Sequence, residues 1–138
     1  AYCLLLYTIN ENQLFMNNIT TDIIYKDCPI RSILSHVCSK WSLLIIYIIH
    51  KNEQMRFNTL HKSIPDISQK VLTSTLRSLE ADGLVHRAIY AEVPPRVEYS
   101  LTHRAHTFIP LVESLINWGQ NNMAGILNDR KRYEAQNA

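Results

Sequence analysis

A mainly α chain with a small β wing is the fold class predicted here, and three observations predict it. Residues 68–83 read as an amphipathic helix, with Leu72, Leu76 and Leu79 at i, i+4 and i+7 on one face. A shorter helical pattern just ahead of it stops at Ile64-Pro65, because proline cannot continue a helix. After Gly83 the apolar period falls from about 3.6 residues to about 2, so strands follow. Helix, tight turn, helix and then hairpin is the order of a winged helix-turn-helix domain.

Taken in order, residues 1–27 scatter Asn and Thr among Ile, Leu and Tyr, and are expected to form an N-terminal arm. Residues 1–15 are readable as an extension ahead of a natural start at Met16. Cys28-Pro29 opens the first helix, since proline is favoured at the first helical position, and Ile30, Ile33, Leu34 and Val37 form its stripe. Ser39 is placed to cap a second helix over residues 40–50. That helix is apolar nearly all round, which makes it central; its β-branched isoleucines leave a buried strand as the competing reading, and its length favours helix. Residues 51–56 are a polar break. Phe57, Leu60, His61 and Ile64 then mark the short helix, with Asn58 as its cap.

Ser68 caps the helix of the opening observation, and Gly83 takes the left-handed position that ends it. Residues 84–91 read as a strand. Residues 96–101 alternate cleanly, with Val97, Tyr99 and Leu101 on one face, and Glu92-Val-Pro-Pro95 forms a stiff link between the two strands. Thr102 caps a last long helix in which Phe108, Ile109, Leu111, Val112, Leu115, Ile116 and Trp118 cover more than half the circumference, with Pro110 placed to kink it. The expected organisation is an arm (1–27), a winged helix-turn-helix domain (28–101), a terminal dimerisation helix (102–127) and a flexible, partly basic tail (128–138).

Composition bounds the function. At 138 residues and 46% hydrophobic, the chain is one domain with a real core rather than a disordered segment. A net charge of +2 fits a local basic patch better than a uniformly basic surface, so charge has to be argued by position. Cys3, Cys28 and Cys38 are odd in number and lack C-x-x-C spacing, which favours a reducing, cytoplasmic setting over a disulfide scaffold. The apolar runs are too short for a membrane span. No glycine-rich phosphate loop, nucleophile elbow or paired catalytic carboxylates occur, so no enzyme activity and no cofactor are expected.

Opposite the leucines of residues 68–83 lie Gln69, Lys70, Thr73, Ser74 and Arg77, a hydrogen-bonding face with almost no acid. A helix with that face suits the major groove of duplex DNA, which is wide enough to admit it. Two protein–protein or ligand readings compete. A winged-helix interaction module would need an acidic or apolar face instead. A metal-responsive regulator would have to use the six histidines, of which only His103 and His106 lie one turn apart with no cysteine near them, so no metal site is expected.

The motifs Cys28-Pro-Ile-Arg, Lys40-Trp-Ser-Leu-Leu-Ile, Arg56-Phe, Ile67-Ser-Gln-Lys-Val-Leu-Thr, Leu76-Arg-Ser-Leu-Glu-Ala-Asp-Gly-Leu, Glu92-Val-Pro-Pro-Arg-Val-Glu-Tyr-Ser-Leu-Thr and Pro110…Trp118-Gly119 together resemble the HxlR-type family of bacterial transcription regulators. The resemblance covers about residues 28–119 without a gap. It implies a homodimer that binds operator DNA, often at detoxification or stress genes. It also implies a sensing role, toward a small reactive electrophile or oxidant, for the cysteine of the Cys-Pro motif, which matches Cys28. The chain departs from the family at Cys38, where a small residue is usual, at Ala105, where glycine is usual, and at His103, where an acid is common.

The residues expected to touch DNA are Ser68, Gln69, Lys70, Thr73 and Ser74 at base edges or backbone, Arg77 one turn further on at phosphate, and Arg96 at the wing tip, with Arg87 pairing across the hairpin and Arg56 in reach of phosphate. Salt bridges from Arg96 to Glu92 or Glu98 are the alternative for the wing. One domain offers few phosphate contacts, so two half-sites of a palindromic operator, about one helical turn apart, are needed for useful affinity. The same dimer follows from the terminal helix, whose Phe108, Val112, Leu115 and Trp118 are expected to bury against a second copy. Cys28 at a helix N-cap, with Lys26 and Arg31 near in sequence and Asp27 opposing them, is a candidate thiolate; Cys38 is expected to be buried and inert.

Overall fold

The computed structural model describes residues 29–138. Among these residues five helices and three strands follow one another as α1 (Pro29–Val37), α2 (Lys40–Asn52), β1 (Gln54–Arg56), α3 (Phe57–Ser63), α4 (Gln69–Ala81), β2 (Val85–Tyr90), β3 (Arg96–Leu101) and α5 (His103–Asn137). The strands form one antiparallel sheet in the order β1-β3-β2. Mostly helical with a small sheet, this is the winged helix-turn-helix class expected.

The isoleucine run of α2 is helical, and Ile45, Ile46 and Ile49 are fully buried at the centre. Leu60 of α3, Leu72, Leu76 and Leu79 of α4, Met55, Val85 and Tyr99 of the sheet, and Ala105 and Ile109 of α5 close over them. Each fully buried Leu or Ile contributes about 1.5–3 kcal/mol relative to exposure. Caps locate the helix starts. The Ser39, Ser68 and Thr102 hydroxyls accept from Ser42, Val71 and Ala105 amides respectively. Gly83, at φ 69°, takes the left-handed position after α4.

Several expectations are corrected. The polar break contains a strand: β1 pairs with β3, Gln54 opposite Ser100 and Arg56 opposite Glu98, because Met55 points into the core and is buried. α3 consequently begins at Phe57, with Arg56 rather than Asn58 in the cap position. Among the described residues, the α1 stripe is largely uncovered. Val37 is buried, but Ile33 and Leu34 are exposed. Cys38, between α1 and α2, is exposed rather than buried. The terminal helix passes through Pro110 and continues to Asn137, not 127. Its last turns hold good helix formers such as Ala, Arg, Lys, Glu and Gln, together with an i,i+3 Arg132–Asp129 pair. Among the described residues, no single helix is long and apolar enough to cross a membrane.

Candidate nucleic-acid interface

Two anchors hold α4 at the surface. On its inner side Leu72, Leu76 and Leu79 are at most 2% exposed. At its leading end, the turn Ile64-Pro65-Asp66-Ile67 is tied back twice. Lys40 Nζ donates to the Asp66 carboxylate at 3.0 Å, and a His61 ring nitrogen sits 3.1 Å from the Ile67 carbonyl. The Lys40 hydrogen bond holds the Asp66 carboxyl below its ordinary pKa, against a small opposing effect of burial. The Lys40–Asp66 contact has no periodic signal in the sequence, since its partners are 26 positions apart.

The outer side of α4 brings together Gln69, Lys70, Thr73, Ser74 and Arg77, which line one shallow, open depression. Thr73 is half-buried and the other four are exposed. The first turn of α4 carries no acid, and Ser68 stands there as cap. Thr73 Oγ1 donates to the Gln69 carbonyl at 2.8 Å, and Ser74 Oγ donates to the Val71 carbonyl at 3.0 Å. With their protons so engaged, both hydroxyls present acceptor lone pairs outward. Gln69 offers both donor and acceptor, while Lys70 and Arg77 offer donors only.

The wing is built differently from expectation. Arg96 does not reach outward from the tip. Its guanidinium sits over the Tyr90 ring, 4.1 Å from the centroid, 3.1 Å from Glu92 and 3.2 Å from Glu98. Arg56 Nε is 3.5 Å from the same Glu98 carboxylate. Arg87 stands opposite Tyr99, not Arg96, so the expected Arg87–Arg96 pairing across the hairpin does not form; Arg87 is exposed. The loop between the strands contains a cis Val93–Pro94 bond, and the Val93 side chain is fully exposed.

On α5, Val112 is buried against its own domain and Phe108 is half-buried beside the core, so neither is an open face as expected. Leu115 and Trp118 are exposed, together with Leu111. Cys28, its neighbours Lys26 and Asp27, and the arm 1–27 lie outside the described residues. His106 meets the His50 ring edge-on at 6.1 Å rather than joining His103, and among the described residues no three metal-capable side chains cluster.

Comparison with known proteins agrees with this geometry. A family model described as HxlR-like helix-turn-helix matches residues 36–126. An HTH-type transcriptional regulator of Halalkalibacterium halodurans, BH0655, is 45% identical over 97 residues, covering 70% of this chain and 86% of the relative. The solved transcriptional regulator YtfH from Salmonella typhimurium superposes with a TM-score of 0.73 at 35% identity, covering 79% of this chain and 96% of that one. The redox regulator HypR in its reduced form superposes with a TM-score of 0.67 at 39% identity, covering 72% and 98%.

Proposed function

This chain belongs to the HxlR-like helix-turn-helix family of transcriptional regulators, and from that premise we propose that it is a homodimeric repressor whose α4 reads operator DNA in the major groove. The observation that carries the proposal is the division of α4 into three buried leucines and a non-acidic, hydrogen-bonding outer face. Gln69 matches the bidentate donor–acceptor edge of adenine, and Lys70 the acceptors of guanine or a phosphate. Thr73 and Ser74 accept from exocyclic amines, Ser68 and the α4 amides meet a backbone phosphate, and Arg77 anchors on phosphate one turn later. On the wing, Arg87 is the exposed cation available to the backbone.

The dimer is supported by what α5 leaves uncovered. Leu111, Leu115 and Trp118 project from a helix of 35 residues, about 52 Å long, and most of that length extends beyond the core. Ile33 and Leu34 add apolar surface on α1. A second copy would cover such a face and set two α4 helices on two half-sites.

Sensing is assigned to Cys28. It is the sequence neighbour of Pro29, and a thiol at a helix N-terminus is favoured as thiolate by the helix dipole. The relative HypR is itself a redox regulator. Modification by an electrophile or oxidant would then release the operator. The test of this part is Cys28→Ser: operator release by a quinone, aldehyde or peroxide should be lost, and unchanged release would remove Cys28 from the mechanism.

For DNA recognition itself, the test is binding to random-sequence duplex DNA between about 50 and about 200 mM salt, where each phosphate contact lowers log K by about 0.9 per log unit of salt. Lys70→Ala and Arg77→Ala should each flatten the slope by about that amount. A wild-type chain that fails to bind even at the low end would turn the domain into a protein–protein module.

A further inference from the structure

The outer face of the sheet carries a charge network that the reading helix does not use. Glu98 lies at the middle of β3, only 13% exposed, and collects partners from both directions. Its Oε1 faces Arg56 Nε at 3.5 Å from β1 and Arg96 Nη1 at 3.2 Å from its own strand. Its Oε2 accepts from Gln54 Nε2. Glu92 closes the set through Arg96 Nη2 at 3.1 Å. Two guanidinium cations and two carboxylates cancel, so the network presents no net charge although it contains both Arg56 and Arg96.

The cancellation is incomplete in its hydrogen bonds. Arg96 Nε is buried with no hydrogen-bond partner, so the guanidinium is not fully satisfied by its two carboxylates. Arg56 is held by a single long contact while its side chain is 62% exposed. Arg56 is therefore restrained by the nearly buried Glu98 carboxylate, and Arg96 by Glu98 together with Glu92, and neither is locked into a fully satisfied pair. A phosphate offers the same planar-fork recognition as a carboxylate and competes for the same donors.

We propose that Glu98 is a positioning residue that withholds Arg56 and Arg96 from the DNA backbone, and so sets how much sequence-independent affinity the domain has. This rests on the DNA reading above. The consequence is a specificity device. With the two sheet cations neutralised internally, binding depends on the α4 face, which carries sequence information, more than on phosphate contacts, which carry none.

The test is Glu98→Gln, which preserves shape and an oxygen for Gln54 while removing the charge. On random-sequence duplex, its plot of log K against log salt should steepen by about one to two units, about 0.9 for each released arginine. Glu134→Gln, an equal charge change on the exposed far end of α5, should leave the slope as in wild type. Adding Arg56→Ala and Arg96→Ala to Glu98→Gln should remove the extra slope. If Glu98→Gln does not fold, Arg96→Ala alone serves: it should leave the wild-type slope unchanged, and a fall of about 0.9 would overturn the proposal. Wild-type binding with no steepening in Glu98→Gln, or with equal steepening in Glu134→Gln, would overturn it as well. Absence of salt-dependent binding by the wild type would instead defeat the DNA reading, and this inference with it.

Discussion

The hydroxyl of Thr102 donates to the carbonyl of Gly83 at 2.7 Å while it accepts from the Ala105 amide at 3.3 Å. One side chain thus closes the turn after α4 and caps α5. The Thr102 amide adds a bond to the Leu84 carbonyl at 3.0 Å, and Arg104 Nη1 reaches the Asp82 carbonyl at 2.9 Å. The end of α4 and the start of α5 are consequently one rigid corner. Thr102→Val keeps the shape and removes the hydroxyl. It should cost about 1–2 kcal/mol by urea unfolding, the sum expected for a lost cap and an unpaired carbonyl. An unchanged urea midpoint would show that the corner is held by packing alone.

Leu76 and Ser74 test the two faces of α4 separately. Leu76 is 2% exposed within the core, and Leu76→Ala should destabilise the fold by about 2–5 kcal/mol. Ser74 is exposed, and Ser74→Ala should move stability by no more than about 0.5 kcal/mol while weakening operator binding. Equal effects of the two substitutions on stability would mean that α4 is not seated by its leucines.

Asp66 gives the chain an acid-sensitive contact ahead of α4. Hydrogen bonding from Lys40 lowers its folded pKa. A depressed carboxyl contributes stability above its unfolded value of about 3.9, and loses it as pH falls through the lower folded value. The pair is exposed, so the effect is small. The melting-temperature difference between wild type and Asp66→Asn should be present near neutrality and shrink as the pH falls through the lowered folded value of Asp66. A difference independent of pH would show that Lys40 does not stabilise the turn through charge.

Leu115 and Trp118 are exposed in the single chain, so replacing both with Ser should leave the domain folded. In sedimentation at micromolar concentration the wild type should run as a dimer and the double variant as a monomer. A monomeric wild type would remove the two-half-site mechanism.

What was legible in the sequence follows the range of the interactions involved. The boundaries of α4 were readable because Ser68, the leucine spacing and Gly83 are all local. The strand β3 was readable because Val97, Tyr99 and Leu101 alternate without interruption. The strand β1 was not. It has three residues, a single buried one in Met55, and a partner that lies beyond α3, α4 and β2. Arg96 is expected at the wing tip in contact with phosphate or the minor groove, with an ion pair to Glu92 or Glu98 as the alternative, and both ion pairs form. The Glu92 contact is an i,i+4 spacing visible in the chain, but the shared Glu98 carboxylate required knowing that Arg56 stands across from it. The exposure of Ile33, Leu34 and Cys38 was missed because an apolar stripe in sequence does not say whether its own chain covers it.

Selection of bound sequences from a random duplex pool tests the central claim most directly. The wild-type chain should enrich an inverted repeat with half-sites about one helical turn apart, and Gln69→Ala should lose preference at one position in each half-site while keeping its salt slope. Enrichment of no motif, or a motif unchanged by Gln69→Ala, Lys70→Ala and Ser74→Ala alike, would contradict the assignment of α4 as the reading helix.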